Sequence, residues 1–420
     1  MTWRVAREAS RAFTRLFETD DIEPCQLTPS TCTVRQGPLN PHPAENPGFG
    51  VGTRRGILSA VYEDEMTRES ARYTLTEAEH GHAWGICADL EGLFGEPQRR
   101  TYELFDWVPE KVELPAWVGS RVWLVPDNET LDAWLLEDAE SVGRGPAGSL
   151  LLTGMDDYES PPEGYRGRVR VHDGHRWLGS CREFTRVLSP EQAPPPLVLR
   201  GLAPSDQLRA ALMKGTRRAL DLEEAALEIR DSQGELLTDR LLWATISAWR
   251  PSSCGADLID LELDSGRFTP VPEYARPIWE RWLAGPPDDV NAWASLDTRH
   301  RGAWHDLVRE RACRRSHRDR PAGHAYELDG RYTTDEPALY LALGEAVNGP
   351  GGYFGGCLAA LDDCLRGTFG YTRPATLLWR GAATAREYLS NVLTPDGQPY
   401  DLFAATLQTL TEGGVDVTLA

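Results

Sequence analysis

Two neighbouring carboxylates, Asp362 and Asp363, lie near the end of the segment Cys357-Leu-Ala-Ala-Leu-Asp-Asp-Cys-Leu-Arg366, whose residue spacing predicts a helix. Leu358, Leu361 and Leu365 fall at i, i+3 and i+7 and form its buried stripe. Ala359, Asp363 and Arg366 fall at i, i+4 and i+7 on a different face, with Asp362 beside them. A glycine-rich loop, Gly349-Pro-Gly-Gly-Tyr-Phe-Gly-Gly356, leads into this helix. Carboxylates on an exposed helix face can pair with cationic side chains of a basic partner. Acids on an exposed helix are ordinarily a solvated face, and Gly355 and Gly356 equally suit a tight turn.

The remaining chemistry-bearing residues form no comparable set. His172 and His175 flank Asp173-Gly174 and could share a metal across a hairpin, but no cysteine or carboxylate completes a zinc-like spacing, so they read as surface histidines. Cys313, His317 and His324 also lack metal spacing. Gly48-Phe-Gly-Val-Gly52 resembles part of a nucleotide loop, yet no strand precedes it and no Lys-Ser/Thr follows. Neither Gly-x-Ser-x-Gly nor His-Glu-x-x-His occurs. No cofactor or metal is expected, and the chain is expected to act by binding and not as an enzyme.

The elements around the acid pair alternate in type. Tyr326-Glu-Leu is a short strand, Thr333 and Glu336 form a capping box, and Pro337 sits in the first turn of the next helix. That helix carries Leu339, Leu343 and Val347 on one stripe and stops at Asn348-Gly349. A strand at Ala375-Thr-Leu-Leu-Trp379, helices near 384–393 and 399–412, and a last strand at Val415-Asp-Val-Thr-Leu419 follow. Such alternation implies a small parallel sheet flanked by helices, an α/β module.

With the loop and acids in place, this order resembles the barstar family, inhibitors of barnase-type ribonucleases. The resemblance spans roughly residues 326–420. It is carried by Tyr353-Phe354-Gly355, Leu358, Leu361, Asp363-Cys364-Leu365, Trp379-Arg380 and Gly414-Val-Asp-Val-Thr-Leu419. It implies a three-stranded parallel sheet flanked by helices, and a ribonuclease, a basic protein, as partner. It further implies that Asp363 is the main anchoring acid and Tyr353 the contacting aromatic. Phe354, Gly355, Gly356, Ala359 and Asp362 complete the partner-binding set. The pattern departs from the family at four places. Ala359 replaces an acid, Cys357 an asparagine, Asp362 an aromatic, and Thr409 an acid of the helix before the last strand. These departures leave room for a different target or a weaker complex.

Upstream, residues 1–65 mix a short arginine-bearing stretch with a Pro- and Gly-rich run and read as a disordered extension or a misassigned start. Residues 66–193 read as β-rich, with strands at Arg72–Leu75, Arg121–Val125 and Ser149–Leu152. Helical relief is expected near Ala88–Phe94 and Asn128–Asp138, and a hairpin turns at Asp173-Gly174. After Pro194-Pro-Pro196, residues 194–310 read as α+β: a strand at Leu197, a helix capped by Ser205, strands at 241–246 and 258–263, and Trp-rich helices near 273–284 and 289–310. The tryptophans of these helices, and Trp379, are expected in the core. A basic linker, 311–325, leads to the module.

Composition bounds the partner. The chain carries 44 Lys and Arg against 64 Asp and Glu, a formal charge of −20, which repels nucleic acid and anionic membranes and favours a basic protein. Residues 324–420 alone hold twelve acids and five arginines, about −7. The 8 cysteines are scattered without a Cys-x-x-Cys pair, which suits a reducing, cytoplasmic setting. Cys357 and Cys364 lie seven residues apart on one helix, about 10 Å, beyond the roughly 7 Å reach of a disulfide. Two other roles stay open: a barstar-fold scaffold in a larger assembly, or an enzyme in 66–310 regulated by the module.

Overall fold

Strands with one apolar face dominate residues 72–266, and they build two sheets that each close on themselves. The computed structural model describes residues 72–420 apart from 111–112, 146–147, 156–158, 189–195, 267 and 314–316. The expectation for residues 1–65 lies outside the described residues. Strands β1 (Tyr73–Glu77), β2 (Ala83–Cys87) and β3 (Asp89–Glu91) come first. Seven more follow: β4 (Arg99–Phe105), β5 (Val108–Pro109), β6 (Trp117–Pro126), β7 (Trp134–Arg144), β8 (Leu150–Met155), β9 (Gly164–His172) and β10 (Trp177–Val187). Next are β11 (Leu197–Pro204), helices α1 (Asp206–Lys214) and α2 (Arg217–Leu220), then β12 (Asp221–Arg230), β13 (Leu236–Pro251) and β14 (Ile259–Gly266).

The first sheet runs β14-β13-β12-β1-β2-β11 and closes through a β11–β14 pairing, with β3 added on β11. Tyr73, Leu75, Leu199, Leu227, Leu242 and Leu261 fill its interior. The second runs β4-β8-β7-β6-β9-β10 and closes through β10–β4, with β5 on β10. Tyr102, Leu104, Val122, Leu136, Leu152, Val169 and Phe184 form a separate core there. The expected boundary near residue 194 therefore does not divide the strands. β1 to β3 pair with β11 and β12, and the second barrel is an insertion between β3 and β11.

Several local expectations need correction. Residues 88–94 hold β3 and no helix, and 128–138 hold a turn and the start of β7. Asn128 Oδ1 accepts from the Thr130 amide at 3.1 Å, a side-chain turn that stops a helix from starting, and Leu136 is claimed by the barrel interior. The hairpin turn spans Asp173–Arg176, not two residues. Asp173 Oδ1 accepts from both the His175 and Arg176 amides, which holds the wider turn. Ser205 does cap α1, accepting from the Leu208 amide at 3.2 Å.

A short 3-10 turn and α3 (Arg276–Ala284) lead to α4 (Thr298–Ala312), which reaches into the expected linker and buries Arg311. The module comprises β15 (Ala325–Asp329), α5 (Glu336–Asn348), α6 (Leu358–Cys364), β16 (Ala375–Arg380) and α7 (Ala382–Leu389). A small hairpin of β17 (Val392–Leu393) and β18 (Pro399–Tyr400) precedes α8 (Leu402–Glu412) and β19 (Val415–Leu419). As expected, β15, β16 and β19 form a three-stranded parallel sheet in that order. Its helix-covered face buries Tyr326, Leu328, Leu377 and Trp379, while Glu327, Thr376 and Arg380 face outward. The N-cap of α5 is Asp335, not Thr333: its Oδ1 accepts from the Ala338 amide at 2.9 Å, and Thr298 Oγ1 donates to its Oδ2 at 2.7 Å. A carboxylate already fixed from α4 outcompetes the buried Thr333 hydroxyl.

One apolar cluster joins the first barrel, α3, α4 and the module, with Trp279, Trp282, Trp293, Trp304 and Trp379 all buried in it, as expected. Polar ties complete the seams. Arg121 of β6 pairs with Glu336 of α5 at 2.7 Å. Buried Asp138 of β7, held at φ +44, receives Arg99, Arg299 of α4 (2.6 and 2.8 Å) and the Trp117 indole at 2.9 Å. His172 Nδ1 accepts from the Gly174 amide at 3.1 Å, so Nε2 carries the proton and donates to the Pro395 carbonyl at 3.1 Å. His305 Nε2 lies 3.0 Å from the Gly355 carbonyl.

Two predictions follow from these seams. Asp138→Ala leaves two arginines facing a buried gap and should cost about 3–5 kcal/mol in urea unfolding, with Asp138→Asn milder. Burial lowers the pKa of both His172 and His305 below 6.5. The unfolded chain then takes up protons first as pH falls. Their contribution is therefore complete above pH of about 6.5 and is lost below it, through the folded values. Burial raises Glu310 and Glu345, which act in the opposite sense, so the informative quantity is a difference. Between pH of about 7.5 and 5.5, the urea midpoint should drop more for the natural chain than for a His172→Gln, His305→Gln double variant.

Candidate protein-binding site

Helix α6 forms where the sequence places it because its first turn is capped and one face is apolar. Cys357 is extended at φ −157, and its sulfur accepts from the Ala360 amide at 3.4 Å. Leu361 and Leu365 are buried and Leu358 packs against the same core, as the stripe requires. The opposite face is open. The Asp363 side chain is 70% exposed and that of Asp362 46%, so both reach solvent. Arg366 bonds Asp362 one turn back and lies 3.7 Å from Asp363. The acid pair thus carries its own exposed counter-ion, of the kind a partner's guanidinium can exchange with at little cost. Ala359 is half-buried on the same helix.

The preceding loop is built differently from the expectation. Asn348 Nδ2 donates to the Tyr353 carbonyl at 2.8 Å and the Phe369 carbonyl at 3.0 Å, which clamps the loop to the end of α5. Gly355 sits at φ +95, and a Cβ there would stand 3.0 Å from the Leu361 Cα, so the turn and the approach of α6 both demand glycine. Phe354 is 1% exposed and packs on Tyr371. Tyr353 is 9% exposed, its ring 6.1 Å from His305 and 6.2 Å from Phe369. Burial raises its hydroxyl pKa.

Of the seven residues expected at the surface, Asp362 and Asp363 therefore face solvent, Ala359 and Gly356 are half-buried, and Tyr353, Phe354 and Gly355 are covered. The cover on Tyr353 and Gly355 is α4. Its His305 ring also lies 6.1 Å from Tyr340 of α5, and a Cβ on Gly356 would stand 2.9 Å from His305 Cε1. His305 is the residue that sequence reasoning missed. The signal lay in α4 itself, where Trp304, Leu307, Val308 and Arg311 are buried together with His305 and Ala312, more than one helix stripe accounts for.

The other candidates are placed apart. His172 is consumed by Gly174 and Pro395, correcting its reading as a surface histidine, while His175 is exposed. His324 packs edge-on against Tyr326 at 4.7 Å, and Cys313 is exposed. Among the described residues no group of three or more His, Cys, Asp or Glu is arranged to hold a metal ion. The glycine run at 48–52 lies outside the described residues. Cys357 and Cys364 are free thiols, and burial pushes the second up to about 12. Among the described residues no helix is long and apolar enough to cross a membrane.

No curated protein and no solved structure matches the chain. The family model described as Barstar (barnase inhibitor) matches residues 323–395, a span that contains β15, α5, the Tyr353 loop, α6, β16 and α7. The C-terminal module is thus barstar-like both in its sequence and in its three parallel strands with their helices.

Proposed function

We propose that this chain is a ribonuclease inhibitor of the immunity type, acting in the cytoplasm by binding and not by catalysis. One observation carries the reading: within the barstar-matched span, Asp363, the residue to which the resemblance assigns the anchoring role, projects from α6 into solvent. A ribonuclease groove holds phosphates with cationic side chains. Asp363 and Asp362 offer such a groove two carboxylates on a rigid helix, and guanidinium groups of the target replace Arg366. Contact begins at the exposed acids, which also steer a basic partner toward this face over the module's excess of acid.

The burial of Tyr353 favours a second reading, in which the module is a scaffold whose loop is dedicated to its own chain. Pull-down of ribonucleases from the source organism with the full chain, followed by inhibition assays, separates the two. Inhibition is expected, and Asp363→Ala should weaken it at least about tenfold, equivalent to about 1.4 kcal/mol. Added salt should weaken it further by screening the charges. Retrieval of a non-enzymatic partner with Asp363→Ala neutral would support the scaffold instead.

A further inference from the structure

We infer that the loop face at Tyr353–Gly356 is a protein-binding surface already occupied by the chain's own helix α4, which a target must displace. The identity of that target rests on the function proposed above; the occupancy does not. Three observations converge. His305 makes the contacts of an interface residue: a ring on Tyr353, a ring on Tyr340, and a nitrogen 3.0 Å from the Gly355 carbonyl. The fit is close enough that position 356 must be glycine for the His305 ring to sit where it does. The loop itself is held by its own module, through Asn348 and through Leu361 beneath Gly355, so its shape does not derive from α4.

Helix α4 also shares the apolar cluster with the module through Trp304, Leu307 and Val308, and polar contacts tie its N-terminal half to the start of α5. These contacts include Thr298 to Asp335 at 2.7 Å, Arg301 to Thr334 at 2.8 Å, Arg301 to Asp335 at 3.3 Å and Arg301 to the Tyr332 carbonyl at 3.4 Å. The Tyr340 hydroxyl and the Thr333 hydroxyl are buried without a protein hydrogen-bond partner among the described residues. Such groups weaken a seam and do not weld it. Helix α4 is also anchored on the barrels, through Arg299 on Asp138 and Glu310 on Thr238 and Arg240, so it can stay with them while the loop opens. An incoming partner must present a flat group to Tyr353 and a donor to Gly355 in place of His305.

The test uses the full chain. Gly356 does not need positive φ, so Gly356→Ala keeps the backbone and drives a methyl group against His305. In hydrogen-exchange mass spectrometry, amides of 349–357 should exchange about tenfold faster in this variant, while those of 300–311, on the helix that stays with the barrels, keep their natural rates. Those of β15, β16 and β19 should keep their natural rates. His305→Ala should give the same pattern. Natural protection of 349–357 in both variants, or loss of protection across the whole module, overturns the inference. With a ribonuclease that binds the natural chain, His305→Ala should tighten inhibition about tenfold. Unchanged affinity there sinks the inference and leaves the proposed function standing. Faster loop exchange with no ribonuclease bound sinks the proposed function and leaves the covered surface standing.

Discussion

A carboxylate sealed between two arginines sets the frame for everything that faces the module. Asp138 stands on the wall of the second barrel in a left-handed conformation that an L residue adopts only under constraint, and it takes Arg99 from its own barrel and Arg299 from α4. Buried charge of this kind contributes little net stability, because desolvation offsets most of the attraction, but it is unforgiving about geometry. Arg299 lies in the first turn of α4. Fixing that turn fixes the helix axis, and the axis delivers His305, two turns later, to the Gly355 carbonyl. A charge pair on one barrel thereby decides which surface of the barstar-like module is open.

The module was legible in the sequence because its signals are local. A strand of alternating character, helical stripes at Leu339, Leu343 and Val347 and at Leu358, Leu361 and Leu365, and a glycine loop between them each report on neighbours a few residues away. The barrels were legible only as strands. Nothing within Tyr73–Glu91 announces that it pairs with residues beyond 197, because strand register is set by contacts far apart in the chain. The same distance hid the cover on the site. Asp363 could be placed from helical geometry alone, whereas the burial of Tyr353 depends on a residue 48 positions upstream. The capping box failed for a related reason. Thr333 and Glu336 satisfy the local pattern, but Asp335 is fixed from α4 by Thr298 and Arg301, and tertiary context overrides the local pattern.

Charge is distributed in keeping with a partner-binding role. The net −20 of the chain is large, yet many arginines among the described residues are tied to a carboxylate, as in Arg121–Glu336, Arg200–Asp260 and Arg331–Asp329. What remains exposed on α6 is two acids against one arginine. Screening at physiological salt confines such a field to about 8 Å, so the local excess on α6 matters more to a docking protein than the total. Arg366 tempers it. The free helix avoids the repulsion of adjacent carboxylates, and a basic groove recovers their full charge by supplying its own cations.

A covered loop does not abolish binding; it scales it. If the competent state is a fraction f of the population, the apparent dissociation constant rises by 1/f. The His305 to Gly355 hydrogen bond contributes about 0.5–1.5 kcal/mol net, and packing of the imidazole on Tyr353 a comparable amount. Together they hold the loop closed by about 1–3 kcal/mol, which corresponds to roughly fivefold to 150-fold in affinity. That range is smaller than the affinity a standard protein interface supplies, so a target engaged first by Asp362 and Asp363 has enough binding energy to open the loop, whereas a protein that meets the acids alone does not. On the proposed function, the acid helix sets which partners approach, and the helix over the loop sets which of them stay.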